Sequence, residues 1–269
     1  MSLGKRFLVR SGAKVRLADH DPDDTAGFED KDAVRKVLAK NLAQLEKLQY
    51  LMYAESRRAL LIVLQGMDAS GKDGTIRHVM DGFNPQGCSV TSFKPPTAEE
   101  LKHDFLWRIH KAIPGRGDIG IFNRSHYEDV LVARVHGLVP KPVWKGRYEQ
   151  INAFEKTLAD SGVAILKFML HISKEEQRRR FQERIDDPHK RWKVAPSDFA
   201  DRKLWSEYRK AYEEALDRCS RPWAPWFVIP SDHKWFRNFA VSQILVDTLK
   251  AFDMKFPKPA HDLSKIRLE

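Results

Sequence analysis

Residues 59–75 read ALLIVLQGMDASGKDGT. The apolar run Ala59 to Gln65 stops at Gly66, and the spacing Gly66-x4-Gly71-Lys72 follows at once. A short unbroken apolar run bounded by turn residues is the pattern of a strand buried on both faces. The glycines after it let backbone N–H groups converge on phosphate oxygens with no Cβ in the way. A helical pattern (Ile76 to Met80) comes next, so a positive helix end and a mobile lysine face the same anion. The candidate phosphate ligands are Gly66, Ala69, Ser70, Gly71, Lys72, Asp73, Gly74 and Thr75. Two of the acids are unusual. Asp73 stands where a Ser or Thr commonly offers a hydroxyl to Mg2+, and Asp68 lies inside the loop. Carboxylates beside phosphate repel it unless a divalent cation lies between them. Mg2+, with Mn2+ as the other candidate ion, is therefore expected near Asp68, with Asp73 contributing through water.

Four further strands are expected at Cys88–Phe93, Ile119–Phe122, Val163–Leu170 and Phe227–Ile229. Helical patterns separate them: Lys31 to about Arg57, Thr97 to Ile113, Lys145 to Ser161, Ser173 to about Ile185, Asp198 to Cys219, and Trp235 to Phe252. Thr97-x-x-Glu100 and Ser173-x-x-Glu176 have the spacing of capping boxes. Strand alternating with helix predicts an α/β fold: a central parallel sheet with helices on both faces. The expected division is an N-terminal arm over 1–30 with little core of its own, one domain over 31–255 with a helical lid at about 173–220, and a C-terminal tail over 256–269.

A second motif, Asn123-Arg124-Ser125-His126-Tyr127-Glu128-Asp129, leaves the third strand on the same edge as the glycine-rich loop. Ligands of such sheets gather at the carboxyl ends of the strands. Arg124 at that place can give bidentate bonds to phosphate, and Glu128 and Asp129 can hold a metal or serve the first turn of a helix. Downstream, Arg180 and Arg184 share a helix face, and Lys190 and Lys193 follow a proline break. Such a cluster suits a lid whose cations close over a transferred group. Lys94, at the end of the second strand, can also reach an anionic chain.

Lys and Arg total 47 against 37 Asp and Glu, a net charge of +10 that implies an anionic partner without naming it. No apolar run approaches the ~18 residues of a membrane span, and no secretory leader is read at the N-terminus. Two isolated cysteines, Cys88 and Cys219, suit a reducing cytoplasm and form no zinc spacing. No RNA- or DNA-binding motif is present, so neither nucleic acid nor membrane is expected as a partner.

Together, residues 66–75, the run Asn-Arg-Ser-His-Tyr-Glu-Asp-Val at 123–130 and the Glu-Gln-x3-Phe-x2-Arg…Pro-x-Lys-x-Trp-Lys pattern at 176–193 resemble the family-2 polyphosphate kinases. The resemblance spans about residues 30–255. It implies a three-layer α/β/α P-loop kinase-like fold and Mg2+-dependent, reversible phosphoryl transfer between inorganic polyphosphate and a nucleoside mono- or diphosphate, in a homo-oligomer. Asn123 and His126 stand where the diphosphate branch commonly has Asp and Trp, which resembles the branch that phosphorylates AMP as well as ADP. The resemblance suggests Asp68 and Asp129, with Glu128, as metal and catalytic carboxylates. It gives Lys72, Arg124, Arg180 and Arg184 to phosphates, and Lys94, Lys190 and Lys193 to the polymer. Two other readings stay open: an ATP-dependent P-loop nucleotide kinase of the thymidylate-kinase type, and a non-catalytic polyanion binder.

Overall fold

A computed structural model describes residues 2–262; Met1 and residues 263–269, the end of the expected tail, lie outside the described residues. In chain order the elements are α1 (Leu3–Phe7), α2 (Lys31–Glu55), β1 (Ala59–Gln65), α3 (Lys72–Val79), β2 (Cys88–Ser92), α4 (Trp107–His110), β3 (Ile119–Asn123), α5 (Val132–Val135), α6 (Lys141–Asp160), β4 (Val163–His171), α7 (Lys174–Asp186), α8 (Pro196–Lys203), α9 (Trp205–Cys219), β5 (Trp226–Pro230) and α10 (Lys234–Ala251).

The five strands form one parallel sheet in the order β2-β3-β1-β4-β5. All seven residues of β1 are buried, as its unbroken apolar run predicts for a central strand. Its side chains alternate between two cores. Leu60, Ile62 and Leu64 pack with residues of α2, α3 and α10, while Leu61 and Val63 pack with residues of α6 and α9. The chain goes from β1 to one side of the sheet for β2 and β3, then crosses to the other side for β4 and β5. That reversal leaves a crevice at the carboxyl end of β1, where ligands of open α/β sheets bind. Leu64 pairs with Asn123 and Gln65 with Met169, so the loop after β1 and the motif after β3 emerge side by side.

Three expectations about the chain's organisation are corrected. Residues 1–30 are not an arm without core. Leu3 and Phe7 lie in one core, and Val9, Val15 and Leu17 in the other. Leu8 bridges Phe227, and the Val9 amide donates to Trp226 O at 2.9 Å, so this segment covers the edge of the sheet at β5. The helix expected over 97–113 is a short turn at Glu100–Lys102 followed by α4. The Thr97–Glu100 capping bonds form (2.8 and 3.2 Å), but the Asp104 carboxylate accepts the Leu106 amide and turns the chain before α4. The helix expected over 198–219 is two, α8 and α9, parted at Leu204.

Beneath the second motif lies a fully buried polar network. Lys167 Nζ on β4 donates to Glu155 Oε2 on α6 (2.5 Å), to Tyr127 Oη (2.8 Å) and to Cys219 O (2.8 Å). Tyr127 Oη and the His126 ring bond Glu155 Oε1 at 2.9 and 3.2 Å. Burial alone would push the Glu155 carboxyl up, but Lys167 and His126 outweigh it and hold it below the usual range. Removing one member of such a pair strands the other charge in the core. Glu155→Ala is expected to destabilise the protein by about 3–5 kcal/mol in urea unfolding. Glu155→Met with Lys167→Met is expected to recover part of that loss. A single variant as stable as the parent would show that the network does not anchor this segment.

Candidate active site

β1 ends at Gly66, where φ is +149°. A Cβ there would stand 2.7 Å from Leu170 O and from Ser70 Oγ, so only glycine lets the loop fold back against β4. The loop then makes a turn closed by Ser70 N→Met67 O at 3.0 Å, with Ala69 (φ +62°) and Gly71 (φ +106°) left-handed. Mixed left- and right-handed residues make a concave nest of N–H groups, the geometry that binds anions. α3 starts at Lys72, directly after the nest. Lys72 is buried, and its Nζ folds back to Gly66 O (2.7 Å) and Met67 O (3.4 Å). Burial and the Arg124 charge push its pKa down, opposed by Asp68, Glu128 and Asp73. An anion at the nest would relieve both effects.

The loop's outward carbonyls are held from behind. Arg180 of α7 donates to Ala69 O (2.9 Å) and Ser70 O (3.0 Å), and also to Ser231 O and Asp232 O. Its guanidinium is buried and ion-paired to Glu176. The expectation of Arg180 as a free lid cation is therefore corrected: its donors are consumed by the loop backbone and the β5 end. Gln177, one residue before Arg178 on α7, adds a bond to Asp68 O at 2.9 Å.

The second motif meets the loop edge-on. Arg124 sits with φ +63° and places its guanidinium 2.9 Å from Asp68 and 3.7 Å from Glu128. Asn123 Nδ2 donates to Asp73 Oδ1 at 2.8 Å, tying the two motifs together a second time. Burial raises the Glu128 pKa, although Arg124 and Lys72 oppose it. Burial would lower the Arg124 pKa, but Glu128 and Asp68 outweigh it and raise it instead. Asp68, Arg124 and Glu128 line one cleft with Gly66 and Met67, roofed by Gln177, Asp201, Tyr208 and Tyr212. The Tyr212 hydroxyl also accepts the Gly66 amide at 3.1 Å.

Asp129 does not join them. Its carboxylate and its carbonyl both accept Arg147 of α6, at 3.0 and 2.9 Å, and it lies outside the cleft lining. The pair of acids facing one another across Arg124 is thus Asp68 and Glu128, which corrects the choice of Asp129 as the partner of Asp68. Arg184 stands over the Phe181 ring at 5.5 Å. Lys190 pairs with Asp187 and Lys193 lies over Trp192, both exposed on the segment between α7 and α8. Lys94 is exposed beyond β2, with its carbonyl held by Arg108. None of these four side chains lines the cleft.

Residues 28–257 match the family model described as polyphosphate kinase 2 (PPK2). The chain belongs to the polyphosphate kinase 2 family. It is 53% identical to the AMP/ADP-polyphosphate phosphotransferase of Meiothermus ruber over 98% of this chain and 100% of that one. It is 44% identical to the ADP-polyphosphate phosphotransferase of Rhodopseudomonas palustris over 94% of this chain and 92% of that one. The crystal structure of polyphosphate kinase 2 from Arthrobacter aurescens TC1 superposes with a TM-score of 0.94, at 42% identity over 98% of this chain and 94% of that one.

The donors of the cleft fit a hard divalent cation such as Mg2+. Among the described residues no group of three or more His, Cys, Asp and Glu side chains converges. Asp68 and Glu128 supply two hard carboxylate oxygen sets, and Mg2+ usually takes one or two carboxylates with waters and substrate phosphate. Gln177, Asp201, Tyr208 and Tyr212 line the cleft but were not legible as site residues in the sequence. Gln177 alone carried a signal, since it adjoins the arginine cluster on α7.

The raised pKa of Glu128 has a stability consequence. A carboxyl whose folded-state pKa exceeds its unfolded value costs stability when ionised; the cost starts to shrink as the pH falls through the folded value and is gone below the unfolded one. Glu128→Gln is expected to melt above the parent at pH 8, with the gap narrowing as the solution is acidified toward the ordinary carboxylate range. A lower melting temperature at pH 8 would mean that the Arg124 contact, not burial, governs this carboxylate.

Proposed function

We propose that this protein transfers a phosphoryl group between inorganic polyphosphate and AMP or ADP, in either direction, with Mg2+ as cofactor. The observation that carries the reading is the convergence of Asp68, Arg124 and Glu128 in one cleft at the ends of β1 and β3, with Lys72 Nζ held on the carbonyls of Gly66 and Met67 in the cleft wall. The near-complete, 53% identical relative named for both AMP and ADP supports the acceptor range.

The loop N–H groups and Lys72 hold the terminal phosphates of one substrate. Arg124 faces the same point from β3 and neutralises the oxygens of the group in flight. The two substrates lie in line only if both are gripped, so most of the rate comes from positioning and charge neutralisation. Asp68 and Glu128 would hold Mg2+, which supplies further charge neutralisation on bound phosphates. A nucleotide phosphate is already a competent nucleophile, so a strong base is not required; Asp68 orients Arg124 through their 2.9 Å contact. His126 is fully buried on Glu155 and does not line the cleft, so its influence on acceptor choice is exerted through the motif's backbone.

The assay is direct. AMP or ADP with long-chain polyphosphate, and no ATP added, should yield new ADP and ATP. Absence of product with both acceptors, while ATP does phosphorylate a nucleotide, would favour the ATP-dependent kinase reading. Lys72→Ala should lower turnover by about 10²–10³-fold with the fold intact by circular dichroism. Asp68→Asn should shift the Mg2+ titration to higher concentration, whereas Asp129→Asn should leave its midpoint near the parent's. A shifted midpoint in Asp129→Asn alone would return the metal to that residue.

A further inference from the structure

The first turn of α10 carries a charge that has no counterpart. Arg237 is 2% exposed. Its Nη1 donates to Ser70 O at 3.2 Å, and its Nε and Nη2 donate to Asn238 Oδ1 at 3.1 and 2.8 Å. Among the described residues no carboxylate pairs with it, whereas its neighbour Arg180 has Glu176. Three physical terms disfavour a cation in this place. It is removed from water without an ion pair. It sits in the first turn of a helix, where the dipole is positive and no acid is present. It is also close to Arg180, and that charge together with burial depresses its pKa, though arginine stays protonated.

The location accounts for the arrangement. A Cβ on Gly71 would fall 1.7 Å from Arg237 Nη1, and one on Gly74 would fall 3.1 Å from Nη2. The guanidinium therefore fills the space left by Gly71 of the loop and Gly74 of α3, and it does not line the cleft. There it holds the Ser70 carbonyl and sets a full positive charge beside the loop backbone.

We propose that Arg237 is a positioning residue for phosphoryl transfer, a buried cation whose counter-ion is the bound phosphate itself. This rests on the reading that the loop over 66–72 binds phosphate. Unlike Lys72 or Arg124, Arg237 touches no substrate. It acts through the loop, and the protein carries its charge unbalanced until substrate arrives.

The test compares the parent with Arg237→Met and Arg237→Lys, by thermal melting and by calorimetric titration of tripolyphosphate in magnesium buffer. A brace that matters only for structure would lose stability and affinity together. The proposal predicts opposite signs for Arg237→Met: a melting temperature at or above the parent's, with tripolyphosphate affinity lower by about tenfold or more. Arg237→Lys, compared with the parent at pH 6 so that the buried ammonium stays protonated, should bind within about threefold of the parent. The KM for polyphosphate should rise in Arg237→Met by more than kcat falls. Affinity in Arg237→Met within about twofold of the parent overturns the proposal. So does equal weakening in both variants, or an Arg237→Met protein that melts well below the parent or does not fold. A parent that fails to bind tripolyphosphate would instead sink the phosphate-loop reading on which this rests.

Discussion

The site depends on which way a few peptide units face. A loop that binds anions must point its amides inward and its carbonyls outward, and outward carbonyls in a protein interior need donors. Here the Ala69 and Ser70 carbonyls are met by Arg180 and Arg237, two guanidiniums from helices on the far side of the sheet crossing. Their bonds hold the two peptide units that follow the left-handed Ala69, a residue without glycine's backbone freedom. The sheet supplies the other half of the constraint. Because β1 is buried on both faces and pinned between β3 and β4, the loop leaves it from a rigid point, next to Arg124.

In and beside the cleft both signs of charge meet before any ligand arrives, with the acids in excess. Lys72 and Arg124 face Asp68, Glu128 and Asp73. Such a mixed set suits a substrate that is a polyanion carried with a divalent cation: phosphate finds the two cations, and the metal finds the acids. The depressed lysine and the raised glutamate are the two groups that substrate and metal would relax. The same set gives weak footing to a purely cationic polyanion binder, in which carboxylates within the phosphate loop would only repel the ligand.

Most of the scaffold was legible because its signals are local. The β1 run has the bounds read from the sequence, and the other strands differ by at most a residue or two at their ends. The glycine spacing announced the loop, since glycine's backbone freedom is a property of single residues. What escaped were contacts made across long separations. Arg237 lies 167 positions from the Ser70 carbonyl it holds, and nothing in the α10 pattern marks it apart from an ordinary helix cation. Glu128 and Asp129 are neighbours on one tight turn, so composition could not say which enters the cleft. The choice is made by the left-handed Arg124 and by Arg147 on α6. Arg180 was recognised as important but assigned to the wrong surface, because helical spacing tells which residues share a face and not what that face touches.

The opening segment of the chain packs against residues near its far end. The Val9 amide reaches Trp226, the Val15 and Leu17 amides reach Asp217 and Glu213, and Ser220 Oγ returns a bond to Val9 O. During synthesis these early residues have no place to dock until β5 has cleared the ribosome, so the sheet margin stays bare until that strand is in place. Clipping the first two dozen residues would leave that margin permanently open to other chains, and a bulky fusion at the amino terminus would sit beside the last strand to join rather than out in solvent.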